Sequence, residues 1–130
     1  MAEADPKVKD IVYFVDSPGG EVNGLFATSD VMRAATKPSR TIASLAASAG
    51  YQLAAAGGKI TPSNRSSTFG SIGVVASYFV DEFIVDVTST EAPDKRPDPT
   101  TEEGKATIRA FLDQLHSLFV EDVAANRNRE

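Results

Sequence analysis

The chain has 130 residues, 42% of them hydrophobic and 24% charged, with a formal net charge of −5. That is enough for a single soluble domain with a real core, and the acidic balance leaves no basic footprint for nucleic acid. There is no cysteine and only one histidine, His116, which excludes disulfides and thiol catalysis and leaves no cluster of soft or imidazole ligands for a metal.

No apolar run approaches the roughly 20 residues of a membrane-spanning helix, and no signal-peptide pattern opens the chain. The expected compartment is a cytoplasm. Residues 1–7 are polar and read as a disordered arm. Residues 8–15 (VKDIVYFV) are a dense β-branched and aromatic run, the pattern of a buried parallel strand. The run stops at 16–20 (DSPGG), a strong turn signal. Residues 22–35 then place Val22, Leu25, Phe26, Ser29 and Met32 on one helical face, and Lys37-Pro38 ends that helix.

Residues 40–46 predict a second strand and 49–56 a second helix, closed by Gly57-Gly58. Strand, helix, strand and helix with short joints imply right-handed crossovers and a parallel sheet. Residues 59–61 predict a short strand, 62–68 a polar turn, 70–76 (GSIGVVA) a strand that starts on glycines, and 84–89 one more. The connection 77–82 between them is short and unusually hydrophobic. Residues 90–99, with three prolines, read as a loop. Thr100 with Glu103 predicts a capping box for a C-terminal helix over 101–126, with Ile108, Phe111, Leu112, Leu115, Phe119 and Val123 as its buried stripe. The whole of 1–130 reads as a single domain.

The chemistry concentrates at residues 41–51 (TIASLAASAGY), a strand turning directly into a helix with Ser48 at the joint. The first amides of a helix have no intrahelical acceptor and carry partial positive charge. A hydroxyl held there can attack a carbonyl while the Ala49 N–H faces the developing oxyanion. The plain alternative is a tight turn of small residues with no chemistry. The Pro18-Gly19-Gly20 turn also follows a strand, and ligand sites of parallel sheets lie at the carboxyl ends of strands. Gly19 or Gly20 can therefore supply a second oxyanion donor, or be no more than a tight turn. A serine nucleophile needs a base. His116 lies on the C-terminal helix beside the apolar stripe. Lys95 lies in a proline-stiffened loop after a predicted strand, and a lysine can act if burial lowers its pKa from about 10.4 toward neutrality.

The motifs DSPGG (16–20), ASAGY (47–51) and GSIGV (70–74), in this order and at these separations, resemble the signal peptide peptidase A family of serine peptidases. Residues 88–105 and 119–127 are similar to its phage-encoded branch, the capsid or prohead proteases, so the resemblance spans about residues 8–127. It implies a ClpP/crotonase-like α/β fold, a parallel sheet built from βαβ units with a long C-terminal helix. The family's domain starts earlier, with a further strand and helix, so the expectation is a fold truncated at its N-terminus. The resemblance further implies a Ser–Lys dyad with Ser48 as nucleophile and Lys95 as general base. Gly20, with Gly19 as the neighbouring choice, and Ala49 match the oxyanion-hole positions, and Gly70, Ser71, Ile72, Gly73 and Val74 match the strand lining the substrate cleft.

The function expected on this basis is a serine endopeptidase of phage head maturation, working without metal or cofactor on capsid or scaffold proteins in the host cytoplasm or the prohead. A homo-oligomer is expected, because Tyr78, Phe79, Val80 and Phe83 crowd a short connection with little core to cover them. The first rival is a catalytically incomplete assembly or scaffolding module of the same fold. The second is a crotonase-like acyl-CoA enzyme, which has no need of a serine nucleophile.

Overall fold

The computed structural model describes residues 2–76, 90 and 97–127. The hydrophobic connection at 77–82, the strand expected over 84–89 and Lys95 lie outside the described residues. Residues group by contact into two units, Met1–Gly73 with Phe119–Glu130, and Val74–Leu118.

In the first unit, strand β1 (Ile11–Ser17) leads to helix α1 (Leu25–Arg33), strand β2 (Ser39–Ala47), helix α2 (Ala49–Ala56), strand β3 (Lys59–Pro62) and strand β4 (Thr68–Gly70). All pairings are parallel. β2 lies in the middle, with β1 along one side and β3 and β4 sharing the other, β3 opposite Arg40–Ala43 and β4 opposite Leu45–Ala47. The architecture is thus the α/β fold with a parallel sheet that the alternation of strand and helix implies.

The core is built from small residues. Ala43 and Ala46 of β2 and Ala54 of α2 are fully buried, and Val15, Ile60 and Phe69 pack around them. With methyl groups instead of long side chains between helix and sheet, α2 approaches β2 closely enough for Thr41 Oγ1 to donate to the Ala54 carbonyl at 2.9 Å. A bond of this kind contributes about 1 kcal/mol net, and losing one partner in a buried site costs more. Gly57 completes the approach, since a Cβ there would run into Thr41 Oγ1 and Tyr13. α2 packs against β1, β2 and β3, and α1 packs on α2.

β1 differs from the strand expected to be covered on both faces. Tyr13, Val15 and Ser17 are half-buried, whereas Phe14 is 78% exposed and Asp16 is exposed. The period of two puts Phe14 and Asp16 on the face opposite Tyr13 and Val15. A bulge between Val15 and Asp16 skips Ser44 of β2 and lets the ladder resume at Leu45 and Ala46. The first residues, expected as a disordered arm, form a 3₁₀ turn over Ala2–Ala4. Lys37 Nζ donates to the carbonyls of Ala2 and Asp5 at 2.7 and 2.6 Å, and the Thr36 N–H donates to Glu3 at 2.9 Å.

The strand expected over 70–76 ends at its first residue. Gly70 has φ +127° and Ser71 φ +55°, and two successive positive φ values take the backbone out of the extended region that a ladder needs. Residues 71–76 carry no strand.

In the second unit, helix α3 (Glu102–Arg127) begins; its residues from Phe119 onward belong to the first unit. Its cap is Thr101, not Thr100. Thr101 Oγ1 accepts the Gly104 N–H at 3.0 Å, while Thr100 turns back to Asp98, its N–H and hydroxyl donating to Oδ1 at 2.8 and 2.7 Å. The capping box fails because the residue three beyond the true cap is Gly104, where any Cβ would meet the Asp98 backbone. Ile108, Leu112, Leu115 and Val123 of the expected stripe are half-buried and Phe119 is buried, but Phe111 is 58% exposed. At 100° per residue Phe111 falls at the edge of that arc.

Candidate active site

Ser48 is the single residue between β2 and α2. Its backbone has φ 52° and ψ −126°, a region that a non-glycine residue occupies only at a cost of order 1–3 kcal/mol. The surroundings hold it there. Its N–H donates to the Gly70 carbonyl at the end of β4 at 2.8 Å, and its carbonyl accepts the amides of Tyr51 at 2.9 Å and Gln52 at 3.2 Å. The hydroxyl makes no capping bond to α2. Ser48 is therefore a half-buried serine in a strained turn whose Oγ is not occupied in holding the helix.

Two glycines adapt to this turn. A Cβ on Gly19, which has φ +109°, would lie 2.7 Å from Ser48 Cβ and 3.2 Å from Ser48 Oγ. The Pro-Gly-Gly turn after β1 is thus in contact with the serine, as the placement of both turns at strand carboxyl ends implies. Gly50 lies against β1, since a Cβ there would come 2.8 Å from the Ser17 carbonyl oxygen.

The geometry separates the two glycine amides. The Gly19 N–H donates to Ser17 Oγ at 3.2 Å. The Gly20 N–H has no acceptor among the described residues. Ala49 opens α2, so its N–H has no intrahelical acceptor. Gly19, Gly20, Ala49 and Gly50 line an open cleft of about 530 Å³ whose apolar walls include Leu25 and Leu53. Asp16 and Glu21 also line it. Ser17 is a residue whose part was not visible in the sequence, where it reads only as the residue before a turn proline.

Of the other expected site residues, Gly70 closes β4 and receives the Ser48 amide. Ser71 and Ile72 are exposed, and Gly73 is half-buried. Val74 is half-buried and falls in the second unit. His116 is exposed on α3. Among the described residues no group of three or more His, Asp or Glu side chains is arranged to hold a metal, and no helix is long and apolar enough to cross a membrane.

Behind the serine lies a second polar construction with no signature in the sequence. The Asp122 carboxylate accepts Ser29 Oγ at 2.7 Å, Gln52 Nε2 at 2.8 Å and Asn126 Nδ2 at 3.1 Å on one oxygen, and Arg33 Nη1 at 2.7 Å on the other. Arg33 also bridges to Asp30. Burial pushes the Asp122 carboxyl up, but the hydrogen bonds from Ser29, Arg33 and Gln52 outweigh it and hold the group below the ordinary carboxylate value. The bond to Asp122 raises the Arg33 guanidinium in turn.

A carboxyl with a depressed folded-state pKa stabilises the fold above its unfolded value, about 3.9, and loses that contribution as pH falls through the folded value. Between pH 5 and pH 2 the wild-type chain should therefore lose more unfolding free energy than the Asp122→Asn chain, as read from urea titrations at each pH. Equal losses in both proteins would remove this assignment.

A strained serine between a parallel strand and a helix, touching a glycine turn, is a scaffold of the serine-hydrolase class. The chain belongs to the Clp protease family, whose model matches residues 1–71, more than half of the 130. Membership gives the chain a serine protease-type character. The matched segment includes Gly19, Gly20, Ser48, Ala49, Gly70 and Ser71 and ends before Lys95. No curated protein matches the chain.

Proposed function

We propose that this chain is a serine endopeptidase in which Ser48 and Lys95 form the catalytic dyad. The observation that carries the reading is Ser48 itself: a positive-φ serine whose hydroxyl makes no capping bond, in contact with the turn that bears the Gly20 amide, which has no acceptor among the described residues. Strain of this kind is kept where the surrounding structure over-determines it, and it clusters at active sites.

In the proposed reaction Ser48 Oγ attacks the scissile carbonyl while Lys95, neutral at that moment, takes the hydroxyl proton. The new C–O bond places negative charge on the carbonyl oxygen, between the N–H groups of Gly20 and Ala49. Gly20 is favoured over Gly19 because the Gly19 amide is already committed to Ser17 Oγ. Collapse breaks the C–N bond, and the proton on Lys95 passes to the leaving amine. Water then attacks the acyl-serine with Lys95 again as base, the ester C–O bond to Ser48 breaks to release the carboxylic acid product, and Lys95 returns the proton to Ser48 Oγ. Lys95 enters through the family resemblance of its loop.

The substrate is a protein segment bound in extended form beside the Gly70 end of β4, its backbone making the main-chain hydrogen bonds that this mode of recognition uses. The resemblance of residues 88–105 and 119–127 to the phage branch supports capsid or scaffold proteins as substrates, with the host cytoplasm or prohead as the place of action. The working form is a homo-oligomer. Treatment with a fluorophosphonate probe, followed by peptide mapping, tests the proposal. An adduct on Ser48 supports it, and an unlabelled chain leaves the scaffolding module as the better reading.

A further inference from the structure

We infer that Asp122 is a positioning residue for Ser48, acting through Gln52; the inference rests on the peptidase reading for its catalytic consequence and on the hydrogen-bond geometry for the rest. α2 has little to fix its rotation. Its buried residues besides Gln52 are alanines and a glycine, Ala49, Gly50, Ala54, Ala55 and Ala56, and methyl groups interlock weakly with a neighbouring surface. The largest fully buried side chains among the described residues are polar: Gln52, Thr41 and Ser29. Hydrogen bonds therefore do at this helix what large apolar side chains do at others.

Gln52 is one turn beyond Ser48 and is joined to it directly, its backbone N–H donating to the Ser48 carbonyl at 3.2 Å. Its side chain is fully buried. Nε2 donates to Asp122 Oδ2 at 2.8 Å, while Oε1 has no partner among the described residues. The amide is thus held through one end only, and Asp122 is what holds it.

The same carboxylate takes Ser29 and Arg33 from α1 at 2.7 Å each, and α1 is the helix that follows the Gly19–Gly20 turn. One side chain thereby ties together the two helices whose leading turns bear the nucleophile and the oxyanion donor. A well-packed apolar cluster of the same volume would stabilise the fold as well or better. A half-buried carboxylate with four donors instead fixes direction, because hydrogen bonds to it are directional.

The test compares wild type with Asp122→Asn, whose side chain has the same shape but brings an N–H₂ donor to face donors. Gln52→Met is the second variant; it fills the same buried space without the Nε2 donor and keeps Asp122 with its other three partners. Amide hydrogen exchange reads the positioning itself. In both variants Tyr51 and Gln52 should exchange about tenfold faster or more, the factor a lost bond to a charged group implies, while the β1–β2 ladder amides keep their rates. Fluorophosphonate labelling reads the consequence. The labelled fraction should stay complete while its rate constant and kcat fall by about 100-fold with KM unchanged, as for a misplaced reacting group.

Exchange that is unchanged at Tyr51 and Gln52 overturns the inference, as does acceleration shared equally by the ladder, or a labelling defect confined to amplitude. If the wild type takes up no probe, the peptidase reading fails, and the exchange pattern alone still decides whether Asp122 orders the turn at Ser48.

Discussion

Ser48→Ala should lower peptide cleavage by roughly 10⁴-fold or more, the scale seen when a catalytic serine is removed and only binding and oxyanion stabilisation remain. The change deletes one hydroxyl that makes no capping bond, so the fold should survive it and circular dichroism should be unaltered. Probe labelling should vanish with the activity. Ser44, skipped by the bulge in the β1–β2 ladder, supplies the control, and Ser44→Ala should still be labelled. Gly19→Ala should weaken the same site by another route and to a smaller extent. Its new Cβ would lie 2.7 Å from Ser48 Cβ at a φ of +109°, so either the glycine turn or the serine must move, at a cost of order 1–3 kcal/mol. A Ser48→Ala protein that cleaves or labels as wild type does would end the assignment of the nucleophile.

Lys95→Arg should be nearly as damaging. A lysine base works only when neutral, whereas a guanidinium stays protonated throughout the accessible range. The expected loss is at the upper end of what general-base catalysis contributes, about 10⁴-fold. In the wild type, kcat/KM should climb with pH as the base loses its proton, and the climb should be absent from the residual activity of Lys95→Arg. His116, exposed on α3, provides the comparison: His116→Ala should keep both the rate and the pH profile. If His116→Ala is as inactive as Lys95→Arg, the base is misassigned.

The proposed chemistry gains its specificity from backbone, and this explains how much of the site the linear pattern can carry. DSPGG after one strand and ASAGY after the next place both turns at the carboxyl ends of neighbouring parallel strands. The contact between Gly19 and Ser48 is the consequence of that placement. Which glycine amide is already engaged could not be read in the same way, because it depends on Ser17 Oγ turning back 3.2 Å to the Gly19 N–H.

What the sequence by itself determined is the part of this protein governed by local rules. Dense apolar runs, glycine and proline stops and helical stripes set the alternation of β1, α1, β2, α2 and β3, and with it the parallel α/β sheet. Tertiary structure decided where several local solutions compete. Thr100 and Thr101 are both able to cap α3, and Asp98 engages the first so that the second meets Gly104. Residues 70–76 look like a strand, but φ values of +127° at Gly70 and +55° at Ser71 turn the chain off the ladder where β4 delivers its last carbonyl to the Ser48 amide. Asp122 reads as an ordinary charge on an amphipathic helix. Only the fold brings it to Ser29, Arg33 and Gln52, 70 to 93 residues away, because hydrogen bonds between distant segments depend on where the backbone has already placed their donors and leave no period in the sequence.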